Sequence, residues 1–124
     1  MKDISKAEYE VLNALWEKYP ASANDLIATL NIIKPWHDKT VKTLLNRLVK
    51  KEAVGFQKEK RKYLYYPLLE KEAYTQYESK SLIERLFSGR VSPLIAGFAK
   101  NQELKKEDIS QLKEIISQWE KEND

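Results

Sequence analysis

Apolar residues recur along the first fifty positions at intervals of three and four. Ala7, Val11, Leu12, Leu15 and Trp16 form one stripe. Leu26, Ile27, Leu30 and Ile33 form a second, and Val41, Leu44, Leu45, Leu48 and Val49 a third. That spacing places each set on one face of a helix. The first two stripes carry the same start signal: Ser5 with Glu8, and Ser22 with Asp25, each three residues apart, as in a capping box. Pro20 and Pro35 close these two helices. The third is predicted over Trp36–Lys51. Histidine is a weak helix cap, so Asp38 is expected to start it in place of His37. Trp36 is expected to be a packing anchor.

The period then changes from 3.6 to two. Val54, Phe56 and Lys58 alternate, and "KYLYYPL" is rich in aromatic β-formers. A turn around "KEKRK" separates the two runs and predicts a hairpin with a basic tip. After Leu69 the strand pattern ends. A fourth helix is predicted from about Glu70 to Ser88, with Tyr74, Tyr77, Leu82, Ile83, Leu86 and Phe87 along it and Gly89 at its C-terminal end. Ser92 and Pro93 suit the cap and first position of a fifth helix, which carries Leu94, Ile95 and Phe98. Ile109, Leu112, Ile116 and Trp119 mark a sixth, with a seam about two heptads long.

Three helices, a hairpin and three helices predict a mainly α protein with a small β-hairpin. The N-terminal domain, residues 1–69, would be a winged helix-turn-helix. The C-terminal domain, residues 70–124, would be a three-helix dimerisation domain. Its apolar positions Leu82, Leu86, Leu94, Ile95, Phe98, Ile109, Leu112, Ile116 and Trp119 exceed what one short helical hairpin can bury. They predict a two-fold homodimer.

Charge sharpens this picture once it is located. The 124-residue chain has a net charge of +3. Between Lys39 and Lys62 there are 9 basic and 2 acidic residues. Focused positive charge attracts polyanions. The third helix carries no acid between Asp38 and Glu52. Its polar face holds Lys39, Thr40, Lys42, Thr43, Asn46, Arg47 and Lys50. In a helix-turn-helix the second helix of the pair enters the major groove, N-terminal residues first. Lysine can donate to guanine O6 and N7, and threonine offers a hydroxyl and a methyl group. Lys39, Thr40, Lys42 and Thr43 are therefore candidates for reading bases. Asn46, Arg47, Lys50 and Lys51, further along, are candidates for phosphate. At the tip of the wing, Lys58, Lys60, Arg61 and Lys62 would meet the neighbouring DNA backbone.

Several function classes recede on composition. Without cysteine there is no disulfide framework, thiolate site or cysteine nucleophile. His37 is the only histidine, and three glycines make no phosphate-cradling loop. No catalytic residue, metal site or cofactor is expected, and an enzyme is not indicated. No apolar run approaches the ~20 residues that span a bilayer, and Lys2 and Asp3 do not open a signal peptide. The expectation is a cytoplasmic protein without membrane insertion, whose partner is double-stranded DNA. A protein-interaction module without DNA binding is the rival reading.

"SKAEYEVLNALW", "ASANDLI", "KTVKTLLNRLVKK", "YLYYPL" and "LIAGFAKNQELKKEDISQLKEII" occur in this order. Together they resemble the penicillinase and methicillin-resistance repressors, the BlaI/MecI family. The resemblance implies a winged-helix repressor of β-lactamase or antibiotic-resistance genes that binds a palindromic operator as a homodimer. It implies release by a membrane-bound sensor protease that cuts an Asn-Phe bond in the dimerisation domain. Here that bond reads Gly97-Phe98, which puts cleavage in question. Gly97 costs about 1 kcal/mol against alanine within a helix. Three further departures are His37 where the family has a capping serine, Lys42 where penicillinase repressors have a base-facing arginine, and Ala53 where a glycine precedes the wing. A copper-responsive branch of the superfamily uses C-terminal cysteines, which this chain lacks. A small-ligand-responsive winged-helix regulator stays open as an alternative.

Overall fold

A computed structural model describes residues 3–124. The elements are α1 (Lys6–Glu17), α2 (Ala23–Leu30), α3 (Asp38–Lys50), β1 (Val54–Glu59), β2 (Lys62–Pro67), α4 (Lys71–Phe87), α5 (Ser92–Lys100) and α6 (Lys106–Asn123). The order is that read from the sequence. The chain forms two compact units, Met1–Tyr77 and Glu78–Asp124.

Local chemistry sets the ends of the helices in the first unit. Ser5 and Glu8 form the expected capping box on α1, and Ser22 and Asp25 repeat it on α2. The three apolar stripes then meet. Val11, Leu12 and Leu15 of α1, Leu26 and Leu30 of α2, and Val41, Leu44, Leu45 and Leu48 of α3 are buried together with Ala21, Ala53 and Val54. Burying a leucine or valine contributes about 1.5–3 kcal/mol, and these residues make one contiguous core.

Ile33 departs from the second stripe. α2 ends at Leu30, and Ile33 lies beyond it, 91% exposed. The cause is Asn31. Its side-chain Nδ2 donates to the Ile27 carbonyl at 2.7 Å, and its Oδ1 accepts the Trp36 N–H at 2.9 Å. The amide straps the link to α3 across the end of α2, so the chain turns before Ile33 can join the core.

Two expectations at the ends of α3 are corrected. His37 is the cap: its Nδ1 accepts the Lys39 N–H at 3.2 Å, and Asp38 is the first helical residue. At the other end, Glu52 N–H donates to Val49 O and Ala53 N–H to Leu48 O, both at 3.0 Å. This paired closure needs a left-handed residue at its turn, usually glycine. Glu52 takes that place, with φ 62, whereas Ala53 is buried. The position that favours glycine is therefore Glu52.

β1 and β2 pair antiparallel from Val54↔Pro67 to Glu59↔Lys62, leaving Lys60 and Arg61 as a two-residue turn. Lys60 supplies the left-handed conformation (φ 59) that glycine or asparagine would adopt at lower cost. Ala21 adds a third, one-residue rung. Its N–H donates to Tyr65 O at 3.0 Å, and Tyr65 N–H donates to Ala21 O at 2.7 Å. The peptide bond Tyr19–Pro20, just before it, is cis. On the outward face the Tyr66 ring covers Gly55, where a Cβ would come within 2.8 Å of it.

The first turns of α4 belong to the first unit. Tyr74 is buried against Tyr9 and Trp16, with ring centroids 5.8 and 6.1 Å away. Trp16 Nε1 donates to the Leu69 carbonyl at 2.8 Å.

In the second unit, none of the described side chains is fully buried. Ile83, Leu94, Ile95 and Leu112 are half-buried, whereas Leu82, Leu86, Phe98, Ile109, Ile115, Ile116 and Trp119 are exposed. Gly97 lies inside α5 with open space where a Cβ would be.

Candidate nucleic-acid interface

α3 sorts its residues by face. Val41, Leu44, Leu45 and Leu48 are buried, and Lys39, Thr40, Lys42, Thr43, Asn46, Arg47 and Lys50 are all exposed. The seven candidates thus share one solvent face. Near the start of the helix His37, Lys39, Thr40, Thr43, Leu44 and Arg47 line a shallow depression of about 400 Å³.

The two threonines differ. Thr43 Oγ1 donates to the Lys39 carbonyl at 2.9 Å, so its hydroxyl proton is committed within the helix. Its oxygen lone pairs and methyl group stay available. Among the described residues, no hydrogen bond ties the Thr40 hydroxyl. Thr40 can therefore both donate and accept, which base edges of either kind require.

Trp36 is half-buried and packs against the core, with Lys34 Nζ 5.0 Å from its ring centre. It anchors the approach to α3. Lys34 also pairs with Glu10 at 3.2 Å.

Lys51 leaves the basic face. Its Nζ lies 2.7 Å from Glu8 Oε1 and donates to the Asp3 carbonyl at 2.7 Å. Lys51, expected to meet phosphate, thus has its ammonium engaged with α1 and the chain just before it. Glu8 is 1% exposed. Burial alone pushes its carboxyl up. The Lys51 ammonium and the Ser5 backbone and hydroxyl bonds outweigh burial, and hold it below the usual carboxylate range.

On the wing, Lys58, Lys60, Arg61 and Lys62 are exposed around the turn. Lys58 Nζ sits 6.0 Å from the Tyr63 ring centre, and Tyr63 meets Phe56 edge-on at 5.2 Å. Lys62 is close enough to Asp25 to affect it. The Ser22 backbone N–H and hydroxyl are the main reason the Asp25 carboxyl is held down, and Lys62 and Lys18 add to this. The cluster therefore has graded freedom: Lys60 and Arg61 are at the turn, whereas Lys58 and Lys62 have neighbours within the protein.

Three residues that shape this surface had weak or no sequence signal. Asn31 could have been flagged as a polar residue at a helix end. Glu52 had only its place just after the stripe. Nothing in the sequence pairs Glu8 with Lys51, 43 positions away.

Among the described residues no group of three or more His, Cys, Asp or Glu could hold a metal. No helix among them is long and apolar enough to cross a membrane.

Comparison with known proteins places this geometry. The penicillinase repressor family matches residues 4–118. The methicillin resistance regulatory protein MecI of Staphylococcus aureus (strain N315) is 34% identical over 115 residues, covering 93% of this chain and 94% of MecI. The penicillinase repressor of Bacillus licheniformis is 32% identical over 115 residues, covering 93% and 90%. The solution structure of Bacillus licheniformis BlaI, a monomeric form in complex with the blaP half-operator, superimposes with a TM-score of 0.52 and 36% identity. It covers 59% of this chain and 89% of that one. With the winged-helix architecture and the match over nearly its whole length, the chain belongs to the penicillinase repressor family.

Proposed function

We propose that this chain is a homodimeric transcriptional repressor that binds a palindromic DNA operator. Residues 1–69 bind DNA and residues 70–124 carry the dimer contacts, with the first turns of α4 packed onto the DNA-binding unit. It acts in the cytoplasm, as a binding protein and not a catalyst. The observation that carries this reading is the α3 face, seven exposed polar residues with no acid after Asp38 at the helix start. They lie on a fold shared with a repressor solved on its half-operator. Lys39, Thr40, Lys42 and Thr43 read bases. Asn46, Arg47 and Lys50, with Lys58, Lys60, Arg61 and Lys62 of the wing, hold phosphates.

The apolar positions of α4, α5 and α6 support the dimer. They recur at helical spacing and stay largely uncovered within one chain: Leu82, Leu86, Phe98, Ile109, Ile116 and Trp119 are exposed, and Leu94, Ile95 and Leu112 half-buried. Two copies would set two α3 helices on one face of the duplex, about one helical turn apart. Release by a membrane-bound sensor protease would act at Gly97–Phe98 in α5, where Phe98 is 43% exposed. Co-expression with such a protease, followed by mass determination of the fragments, tests this step.

The decisive experiment is selection of binding sequences from random duplex DNA. The expected result is a two-fold-symmetric motif whose affinity falls steeply between low and physiological salt, as counterions are released. No recovered motif, together with salt-independent binding to a protein partner, would overturn the repressor reading.

A further inference from the structure

Among the basic residues at the end of α3, Lys51 alone turns inward. Arg47 and Lys50 are exposed, whereas Lys51 is half-buried. It is the C-cap of α3, and its N–H is bonded to the Arg47 carbonyl at 3.0 Å. Its ammonium reaches Glu8 of α1 and the Asp3 carbonyl just before that helix. Glu8 in turn is the third residue of α1 and accepts the Ser5 N–H at 2.8 Å on the same Oε1. One oxygen atom thus joins the start of α1 to the end of α3. Its companion, Glu8 Oε2, is buried without a hydrogen-bond partner among the described residues.

A buried ion pair is weak as a source of stability, because desolvation cancels much of its attraction. An apolar pair of similar volume would hold the helices at least as well. The pair differs from an apolar contact in being directional. A charge-assisted bond at 2.7 Å fixes where the end of α3 lies on α1, whereas apolar side chains can slide.

We propose that Glu8 and Lys51 are a positioning pair for operator recognition. The pair fixes the rotation at which α3 presents Thr40, Lys42 and Thr43, and Lys51 makes no phosphate contact. This rests on the DNA-binding reading above.

The test uses the full chain, the duplex recovered by selection and a scrambled duplex of equal length, over a range of potassium chloride concentrations. Four variants are compared: Lys51→Met, Glu8→Gln, their double, and Lys50→Met as an exposed neighbour. Lys51→Met is expected to keep the wild-type salt slope. It should lower affinity for the selected duplex by about 3- to 30-fold, the range of residues that act on a site through packing, and narrow its preference over the scrambled one. Glu8→Gln, which keeps an acceptor for the Ser5 N–H, should reproduce this, and the double variant should add little to either. Lys50→Met should flatten the slope by about one phosphate and weaken both duplexes alike. Circular dichroism at the binding temperature checks that each variant is folded, and Glu8→Gln carries the test if Lys51→Met is not.

A flattened slope and uniform loss with Lys51→Met would make Lys51 a phosphate contact and overturn the proposal. So would wild-type affinity and preference in Glu8→Gln, or additive losses in the double variant. Wild-type protein that binds neither duplex would instead overturn the DNA-binding reading itself, and the positioning pair with it.

Discussion

Asn31 holds Trp36 across the link between α2 and α3: its Oδ1 accepts the Trp36 N–H at 2.9 Å while its Nδ2 donates to Ile27 O. One side chain thus sets both where α2 stops and where α3 begins. Asn31→Ala removes both bonds. The expected cost is about 1–2 kcal/mol, read as a lower urea midpoint with unchanged slope. An unchanged midpoint would mean that packing of Trp36 alone sets the link.

Glu52 pays the conformational cost of closing α3. A non-glycine residue in the left-handed region costs roughly 1–2 kcal/mol, and Glu52 sits there at φ 62. Glu52→Gly is expected to raise stability by about 1 kcal/mol, less the greater chain entropy that glycine brings to the unfolded state. Thermal melting of the two proteins checks the sign. A lower melting temperature for the glycine variant would show that the Glu52 side chain is held in some other way.

Base-reading and phosphate-holding residues should separate in binding data. Thr40→Ala and Lys42→Ala are expected to cost about 1–3 kcal/mol each on the selected operator and to relax preference at single positions. Lys60→Ala and Arg61→Ala should weaken all sequences alike and flatten the salt slope. The reverse pattern would exchange the roles of α3 and the wing.

The dimer prediction turns on a residue with little packing to lose. Ile116 is 57% exposed in a single chain, so Ile116→Asp should leave each chain folded. Sedimentation should show monomers, and binding to the full palindrome should drop to that of a half-site. A variant that stays dimeric would place the contact on other faces of α4 to α6.

Stability should also depend on acid in a defined direction. The Glu8 carboxyl is held below its ordinary range in the folded chain, despite burial, by Lys51 and Ser5. In the unfolded chain it titrates normally, so the unfolded state binds this proton first as pH falls. The resulting stabilisation is fully present above the ordinary carboxylate range and is lost as pH falls through the depressed folded value. Glu8→Gln should therefore flatten the acid limb of a stability–pH profile. An identical limb in both proteins would show that other carboxylates set it.

What the sequence made legible follows the range of each interaction. Both capping boxes, the α3 face and the hairpin depend on residues a few positions apart, and all could be read directly. The cap at His37 is not legible in the sequence, because histidine is a poor cap on average, while here its ring nitrogen meets the Lys39 N–H. Ile33 kept the period of its stripe but lost the helix to Asn31. The basic face was legible except at Lys51, whose partner Glu8 is 43 residues away. No periodicity reports such a pairing.

The Ala21–Tyr65 rung bears on how the protein avoids self-association through its sheet. A bare two-stranded hairpin exposes two rows of unpaired backbone groups, each a template for another chain. Ala21 covers part of the β2 row, which leaves β1 as the other edge of the sheet. That edge is only six residues long, and it runs outward into Lys58 and Glu59. A short edge ending in charged residues resists strand-to-strand joining. The wing can therefore project into solvent without becoming a seed for aggregation.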